Sequence, residues 1–238
     1  MQWPVAVLAC IHHLERPSLG LAEEPLRRAG LELDQRDLRA GDPLPEPGSF
    51  DGLLTLGGEQ SLRETDRYPY LGEELELLQD AVADAVPTLG ICLGGQLLAR
   101  AHGAVIEQLP RRVIGWPEVG RTAVGAEDPL FAGLPGVIAA LHWNEDCFTV
   151  PDGAVELLSR SDLGGEAFRL GDRAWGLQFH PEADESILDG WYARPEVLEQ
   201  AAIAERDGRA ADEQRMPGQR LLAEALFGAF ARLVGRST

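Results

Sequence analysis

With 238 residues, 45% of them hydrophobic, the chain can bury one substantial core and leaves no room for a second catalytic domain. Its formal charge of −18 includes no lysine, since all 21 basic residues are arginine; this excludes a P-loop lysine, a Schiff base and a pyridoxal anchor. It also argues against a nucleic-acid partner, because a phosphate backbone must be neutralised by clustered cations.

No apolar run approaches the roughly 18 residues of a membrane helix, and the start M-Q-W-P lacks the features of a signal peptide. Cys10, Cys92 and Cys147 form neither a CxxC pair nor a zinc spacing. A cytoplasmic protein is expected, with no membrane association, no disulfide framework, no metal and no cofactor.

Pro4 to Ile11 is a continuous apolar run, as in a buried parallel strand, with Cys10 inside it as a core residue. His12 and His13 follow at the end where open α/β sheets place their sites, and read as solvated loop residues. Leu19 to Ala29 predicts an amphipathic helix closed by Gly30, and L-E-L-D-Q-R a second strand, so the chain opens as a βαβ unit. The prolines of Gly41 to Gly48 stiffen a loop. A third strand, Phe50 to Leu56, ends in Gly57-Gly58-Glu59-Gln60-Ser61. Adjacent glycines there free backbone N–H groups to face a ligand, although an ordinary strand-ending turn has the same composition. Arg63 to Tyr70 reads as a polar, aromatic loop beside the site, and Leu71 to Val86 as an acidic helix with Leu75, Leu78 and Val82 on its apolar face.

Pro87 to Gly103 passes from a short apolar strand into a helix, with Cys92 at the corner. Gly90-Ile91-Cys92-Leu93-Gly94 has the spacing of a nucleophile elbow, the glycines permitting a sharp turn that leaves the side chain exposed above the sheet. A helix N-terminus favours a thiolate at that corner. Taken alone, a cysteine in an apolar run serves equally as a core residue. Far downstream, Trp175 to Glu182 (W-G-L-Q-F-H-P-E) alternates as a strand, with Gly176, Gln178 and His180 on one face and Pro181 ending it. A cysteine, a histidine and an acid to orient it form the set that thiol acyl transfer requires.

Between these segments, short strands are expected at Ala104 to Glu107, Val113 to Trp116, Val119 to Val124, Ile138 to Trp143, Cys147 to Val150, Ala154 to Arg160 and Glu166 to Leu170. Asp128 opens a helical turn, Cys147 packs, and Ser186 to Tyr192 is helical. The tail from Pro195 to Gly235 predicts two helices separated near Met216-Pro217-Gly218, the second burying Leu221, Leu222, Leu226, Phe227, Phe230 and Val234. It is expected to pack on the core or on a second subunit, the latter giving a homodimer, and to have no catalytic role.

Three motifs, L-G-G-E-Q-S at Leu56 to Ser61, G-I-C-L-G-G-Q at Gly90 to Gln96 and F-H-P-E at Phe179 to Glu182, resemble the signatures of class I, triad-type glutamine amidotransferases. The likeness runs from about Val5 to Glu182 and is greatest to the stand-alone subfamily related to the amidotransferase domain of GMP synthase. It implies one domain: an α/β fold with a single open, mostly parallel, flavodoxin-like sheet flanked by helices. The core would run from about 4 to 190 and a helical C-terminal extension from about 195 to 236. It also implies Cys92 as nucleophile, His180 as base and then acid, Glu182 orienting the imidazole, and the amides of Gly58 and Leu93 as the oxyanion hole. Gly57 and Gln96 would contact substrate. The implied reaction converts glutamine to glutamate and ammonia through a cysteinyl thioester, the ammonia passing to a separate synthetase.

Alternatives with the same three side chains are stand-alone hydrolysis of γ-glutamyl peptides or conjugates, and a catalytically inactive binding module. A DJ-1-like thiol protein shares the elbow cysteine but leaves H-P-E and Gly57-Gly58 unexplained. One departure concerns a W-H-x-D type segment common in the family. The chain reads H-W-N-E-D, with Asn144 in place of the histidine and Asp146 kept, which affects any substrate contact from that loop and not the thiol chemistry.

Overall fold

The computed structural model describes residues 5–63, 65–160 and 164–235, with the side chains of 164 and 195–207 left aside; the readings at M-Q-W-P lie outside the described residues. The central sheet is mixed. Strand β1 (Val7–His13) pairs in parallel with β2 (Glu32–Asp37) and β3 (Gly52–Gly58), and β4 (Thr88–Ile91) extends the parallel set beyond β3. The strand β11 (Ala174–Leu177) closes that set beside β4. From there the sheet continues antiparallel through β10 (Gly164–Leu170), β9 (Val155–Arg160), β6 (Glu118–Arg121) and β7 (Val137–Ala139), in the order β2-β1-β3-β4-β11-β10-β9-β6-β7. A separate antiparallel ribbon joins β5 (Ile106–Gly115) to β8 (His142–Phe148). This is the α/β fold expected.

The inner parallel strands β3, β4 and β11 and most of β1 are apolar on both faces because helices cover both, whereas the edge strand β2 is polar. Leu8 and Leu54 face one layer, formed by α1 (Glu23–Arg28) and the end of α5 (Pro195–Val234). Ala9, Ile11 and Leu53 face the other, where α2 (Tyr70–Ala83) and α3 (Leu93–Ala101) pack. Successive residues of one strand thereby serve two cores. A third apolar cluster, around Leu141, Trp191 and Met216, ties α4 (Glu185–Tyr192) to α5.

Four expectations are corrected. His12 and His13 are not solvated; both belong to β1, with 2% and 0% exposure, because that strand runs two residues past its apolar stretch. The W-N-E-D segment is not a loop but lies within β8, where pairing with β5 turns His142, Asn144 and Asp146 inward and leaves Glu145 outside.

The tail is one 40-residue helix running through Pro217, although an interior proline removes a hydrogen bond and costs about 3 kcal/mol. Contacts on either side of it outweigh that penalty. Met216 is buried among aromatic residues, and Gln219 Nε2 donates to the carbonyls of His180 at 2.7 Å and Ala183 at 3.3 Å. The same register leaves Leu221 74% exposed instead of buried. Among the described residues no helix is long and apolar enough to cross a membrane.

Candidate active site

The C-terminal ends of β1, β3, β4 and β11 meet at one edge of the sheet, the edge at which open α/β sheets hold their ligands. Cys92 stands between β4 and α3 with φ +50° and ψ −104°, a conformation that non-glycine residues avoid and that costs roughly 1–3 kcal/mol. Its N–H donates to the Leu177 carbonyl at 2.8 Å, and its own carbonyl accepts the Gln96 N–H at 2.8 Å. Three glycines permit this corner. A Cβ at Gly90 would lie 2.4 Å from the Gly94 carbonyl oxygen, one at Gly94 2.2 Å from that of Thr55, and one at Gly95 2.4 Å from that of Leu177. The first turn of α3 thus rests directly on the backbones of β3 and β11.

Beyond β11, the N–H of Gln178 donates to the Glu166 carbonyl at 2.9 Å and that of His180 to the Leu141 carbonyl at 2.8 Å. These bonds carry the imidazole to the same edge. His180 Nδ1 is 2.8 Å from Glu182 Oε1, and the Trp191 ring packs edge-on against the imidazole with centroids 4.7 Å apart. Trp191 is placed by α4, whose N-terminus is capped by Asp184 accepting the Ile187 N–H at 2.9 Å.

Gly57 fits between the two principal side chains. A Cβ there would lie 2.8 Å from His180 Cε1 and 3.6 Å from Cys92 Cβ, so the imidazole and the Cys92 side chain both border one glycine. Burial alone would lower the His180 pKa. The charge of Cys92, then that of Glu182, with the hydrogen bond to Glu182, outweighs burial and raises the pKa to about 10, while Nε2 is buried without a hydrogen-bond partner among the described residues.

Gly58 abuts the start of α3: a Cβ on it would meet Leu93 Cδ2 at 2.6 Å and His13 Cβ at 2.7 Å. Leu93 is the first residue of α3, one of the positions whose amide a helix leaves without an internal acceptor. Behind this turn lies a buried polar network that sequence reasoning missed. His13 Nδ1 is 3.1 Å from the Leu56 carbonyl and Nε2 is 2.8 Å from Glu74 Oε2, while Thr55 Oγ1 donates to Glu74 Oε1 at 2.5 Å. Gln60 Nε2 donates to the His13 carbonyl at 2.9 Å. Neighbouring His12 pairs with Gln35 at 3.1 Å, and burial lowers its pKa to about 4.

A cavity of about 370 Å³ opens over Cys92, with Tyr68, Trp143, Trp191 and Arg67 among its walls. Gln96 lines it, with Nε2 donating to the Asp146 carbonyl at 3.0 Å and to Gln178 Oε1 at 3.3 Å. Gln178 Nε2 in turn lies 3.7 Å from Cys92 Sγ. Sequence reasoning gave Gln178 no role, although the strand alternation had set it on the His180 face.

Asn144 and Asp146 both line the cavity. Asn144 Nδ2 donates to the Asp146 carbonyl at 3.0 Å, and its Oδ1 is buried without a hydrogen-bond partner among the described residues. The Asp146 carboxylate accepts from Ser61 Oγ at 2.7 Å and from Arg63 at 3.1 Å. Among the described residues, no group of three or more His, Cys, Asp or Glu side chains is placed to hold a metal ion. The tail reaches the site as well, since Gln219 holds the His180 backbone carbonyl.

The family model described as glutamine amidotransferase class-I matches residues 26–199. The glutamine amidotransferase-like protein YfeJ of Salmonella typhimurium is 32% identical over 155 residues, covering 63% of this chain and 65% of that protein. The glutamine-hydrolyzing GMP synthase of Thermomicrobium roseum is 34% identical over 137 residues, which are 58% of this chain and 24% of the larger protein. The crystal structure of a glutamine amidotransferase from Thermotoga maritima superposes with a TM-score of 0.85 at 26% identity, covering 96% of this chain and 98% of that one. A glutamine amido transferase from Methylobacillus flagellatus gives 0.80 at 25% identity, with 96% and 95% covered. The chain belongs to the class-I glutamine amidotransferase family.

Proposed function

We propose that the protein hydrolyses the side-chain amide of glutamine to glutamate and ammonia, with Cys92, His180 and Glu182 as the reacting set. The observation that carries this reading is that His180 Cε1 and Cys92 Cβ lie 2.8 Å and 3.6 Å from the place a Cβ on Gly57 would take, with Glu182 on Nδ1 of the imidazole. A pKa raised to about 10 leaves His180 protonated at neutral pH, so the sulfur attacks as a thiolate beside an imidazolium.

The new C–S bond sends the carbonyl electron pair to oxygen, where the amides of Gly58 and Leu93 receive it. As the intermediate collapses, the C–N bond breaks, and His180 gives its proton to the leaving nitrogen, which departs as ammonia. Water then attacks the thioester, His180 takes its proton, and glutamate leaves as the thiolate is restored. Glu182 on Nδ1 fixes the ring so that Nε2 faces the chemistry. Gly57 and Gln96 contact the substrate. By analogy with the GMP synthase relatives, the ammonia passes to a separate synthetase.

A second reading is supported by the cavity, whose aromatic walls at Tyr68 and Trp143 suit a leaving amine larger than ammonia. In that case the same chemistry cleaves a γ-glutamyl peptide or conjugate. Assay with glutamine and with γ-glutamyl-p-nitroanilide separates the two. Ammonia release with the higher kcat/KM supports the first, and p-nitroaniline release with the higher kcat/KM supports the second. Neither product, from protein that a glutamine-analogue electrophile also fails to label at Cys92, overturns both.

Two further results are expected. The rate should fall on the alkaline side as His180 loses its proton near pH 10, because that proton is the one the departing nitrogen needs; a rate still level at pH 11 contradicts the assignment. Gly57→Ala should keep the fold, since the added methyl meets mainly the His180 and Cys92 side chains, yet lower kcat about 100-fold by displacing the imidazole. Circular dichroism and kcat measured together check both halves of that statement.

A further inference from the structure

We propose, on the basis of the cysteine chemistry above, that Gln178 is a further catalytic residue whose side-chain amide donates to the Cys92 sulfur whenever the sulfur carries charge. The orientation of the amide follows from a chain of hydrogen bonds with one unambiguous end. A backbone carbonyl only accepts, and that of Asp146 is engaged by Gln96 Nε2 and by Asn144 Nδ2, each at 3.0 Å. Gln96 therefore presents N–H groups, and its second one faces Gln178 Oε1 at 3.3 Å. With its oxygen turned to Gln96, Gln178 has its NH2 end toward Cys92 Sγ, 3.7 Å away and within the reach of an N–H···S bond. Both glutamines are buried.

The arrangement distinguishes the charge states of the sulfur. A thiol accepts weakly and a thiolate strongly, so an N–H aimed at the sulfur favours the charged form. The same donor assists when the thioester is hydrolysed, because the sulfur then leaves carbon with an electron pair. Gln96 is also accounted for: both its N–H groups are used within the protein, which leaves its Oε1 to meet substrate. The titratable and charged groups around the sulfur are His180 and Glu182, the His13–Glu74 pair behind the glycine turn, the Asp146 carboxylate of β8, and, across the cavity, His12, Arg16, Glu59, Arg67, Arg112, Glu145 and Arg194. None of these changes in a Gln178 variant.

The test is alkylation of Cys92 by iodoacetamide as a function of pH, read by mass spectrometry, with glutamine turnover alongside. Burial raises the pKa of Cys10 to about 12 and raises that of Cys147, which keeps the labelling selective. Gln178→Met preserves the volume without the donor, and its alkylation midpoint should rise by about one pH unit with turnover down about tenfold. Gln178→Glu keeps the acceptor for Gln96 but turns a carboxylate toward the sulfur, and its midpoint should rise further.

A packing role alone would lower the melting temperature and leave the midpoint in place. In the wild-type protein, whatever the variants do, the Gln178 side-chain amide resonance should move over the pH range in which Cys92 becomes reactive. A Gln178→Met midpoint and turnover within twofold of wild type, or an amide resonance that stays still, overturns the proposal while leaving the function standing. Wild-type protein that neither alkylates at Cys92 nor releases ammonia overturns both together.

Discussion

Cys92→Ala is expected to abolish glutamine turnover, lowering it by roughly 10⁴-fold or more, because no neighbouring group can form the thioester in place of the sulfur. The same variant should alter His180. In the wild type, burial of the imidazole is opposed first by the charge of Cys92 and then by that of Glu182, giving a pKa of about 10. Without the sulfur, burial loses its larger opponent, and the Cε1 proton of His180 should titrate well below pH 10 by NMR. The linkage has a definite sign. A histidine whose folded pKa is raised adds stability that is fully present below its unfolded value, about 6.5, and is lost as pH rises through about 10. The electrostatic part of the stability gap between wild type and Cys92→Ala should therefore be widest below about pH 6.5 and close as pH rises toward about 10. Turnover within tenfold of wild type, or an unmoved His180 titration, would remove Cys92 from the role assigned to it.

How far the site could be read from sequence depended on whether its constraints were local. The elbow was legible because its steric requirement lies within a few residues: Gly90 must admit the Gly94 carbonyl, and Gly94 must admit that of Thr55. His180 and Glu182 were legible because they flank one proline, and their hydrogen bond spans two residues. His13 was misread because its carboxylate partner is 61 residues away on α2, and nothing in an I-H-H-L string announces a buried acid from another element. Gln178 was set on the correct face, yet its partner Cys92 is 86 residues distant. Pro217 misled for the opposite reason. Its local rule is strong, and it was overruled by Met216 and Gln219 anchoring the helix on both sides, which no local pattern encodes. The W-N-E-D segment lost its loop character to pairing with β5, a property of two strands and not of one.

The buried His13–Glu74 pair carries the other large expected effect. Each ring nitrogen of His13 faces an oxygen, Leu56 O or Glu74 Oε2, an arrangement that suits an imidazolium donating to both. Burial works against that charge, but Glu74 and the carbonyls of Leu56 and Gly57 raise the pKa above its usual value. Both side chains are fully buried, and removing one of them leaves the other's charge or polar groups without water or partner. Glu74→Ala or His13→Ala should each cost about 3–5 kcal/mol, measured as the shift in urea-unfolding free energy. The double variant His13→Leu/Glu74→Leu should recover much of that loss, because neither orphan remains. The stability contributed by His13 should be complete below pH about 6.5 and disappear as pH rises through its raised folded value, so the deficit of His13→Ala shrinks in alkali. Single variants that lose under about 1 kcal/mol, or a double variant no better than the singles, would show that the pair is not the strut it is taken for. Activity should follow stability here. The pair holds β1, β3 and α2 together behind Gly57 and Gly58, and loosening that support lets the proposed oxyanion donors drift from the sulfur they must face.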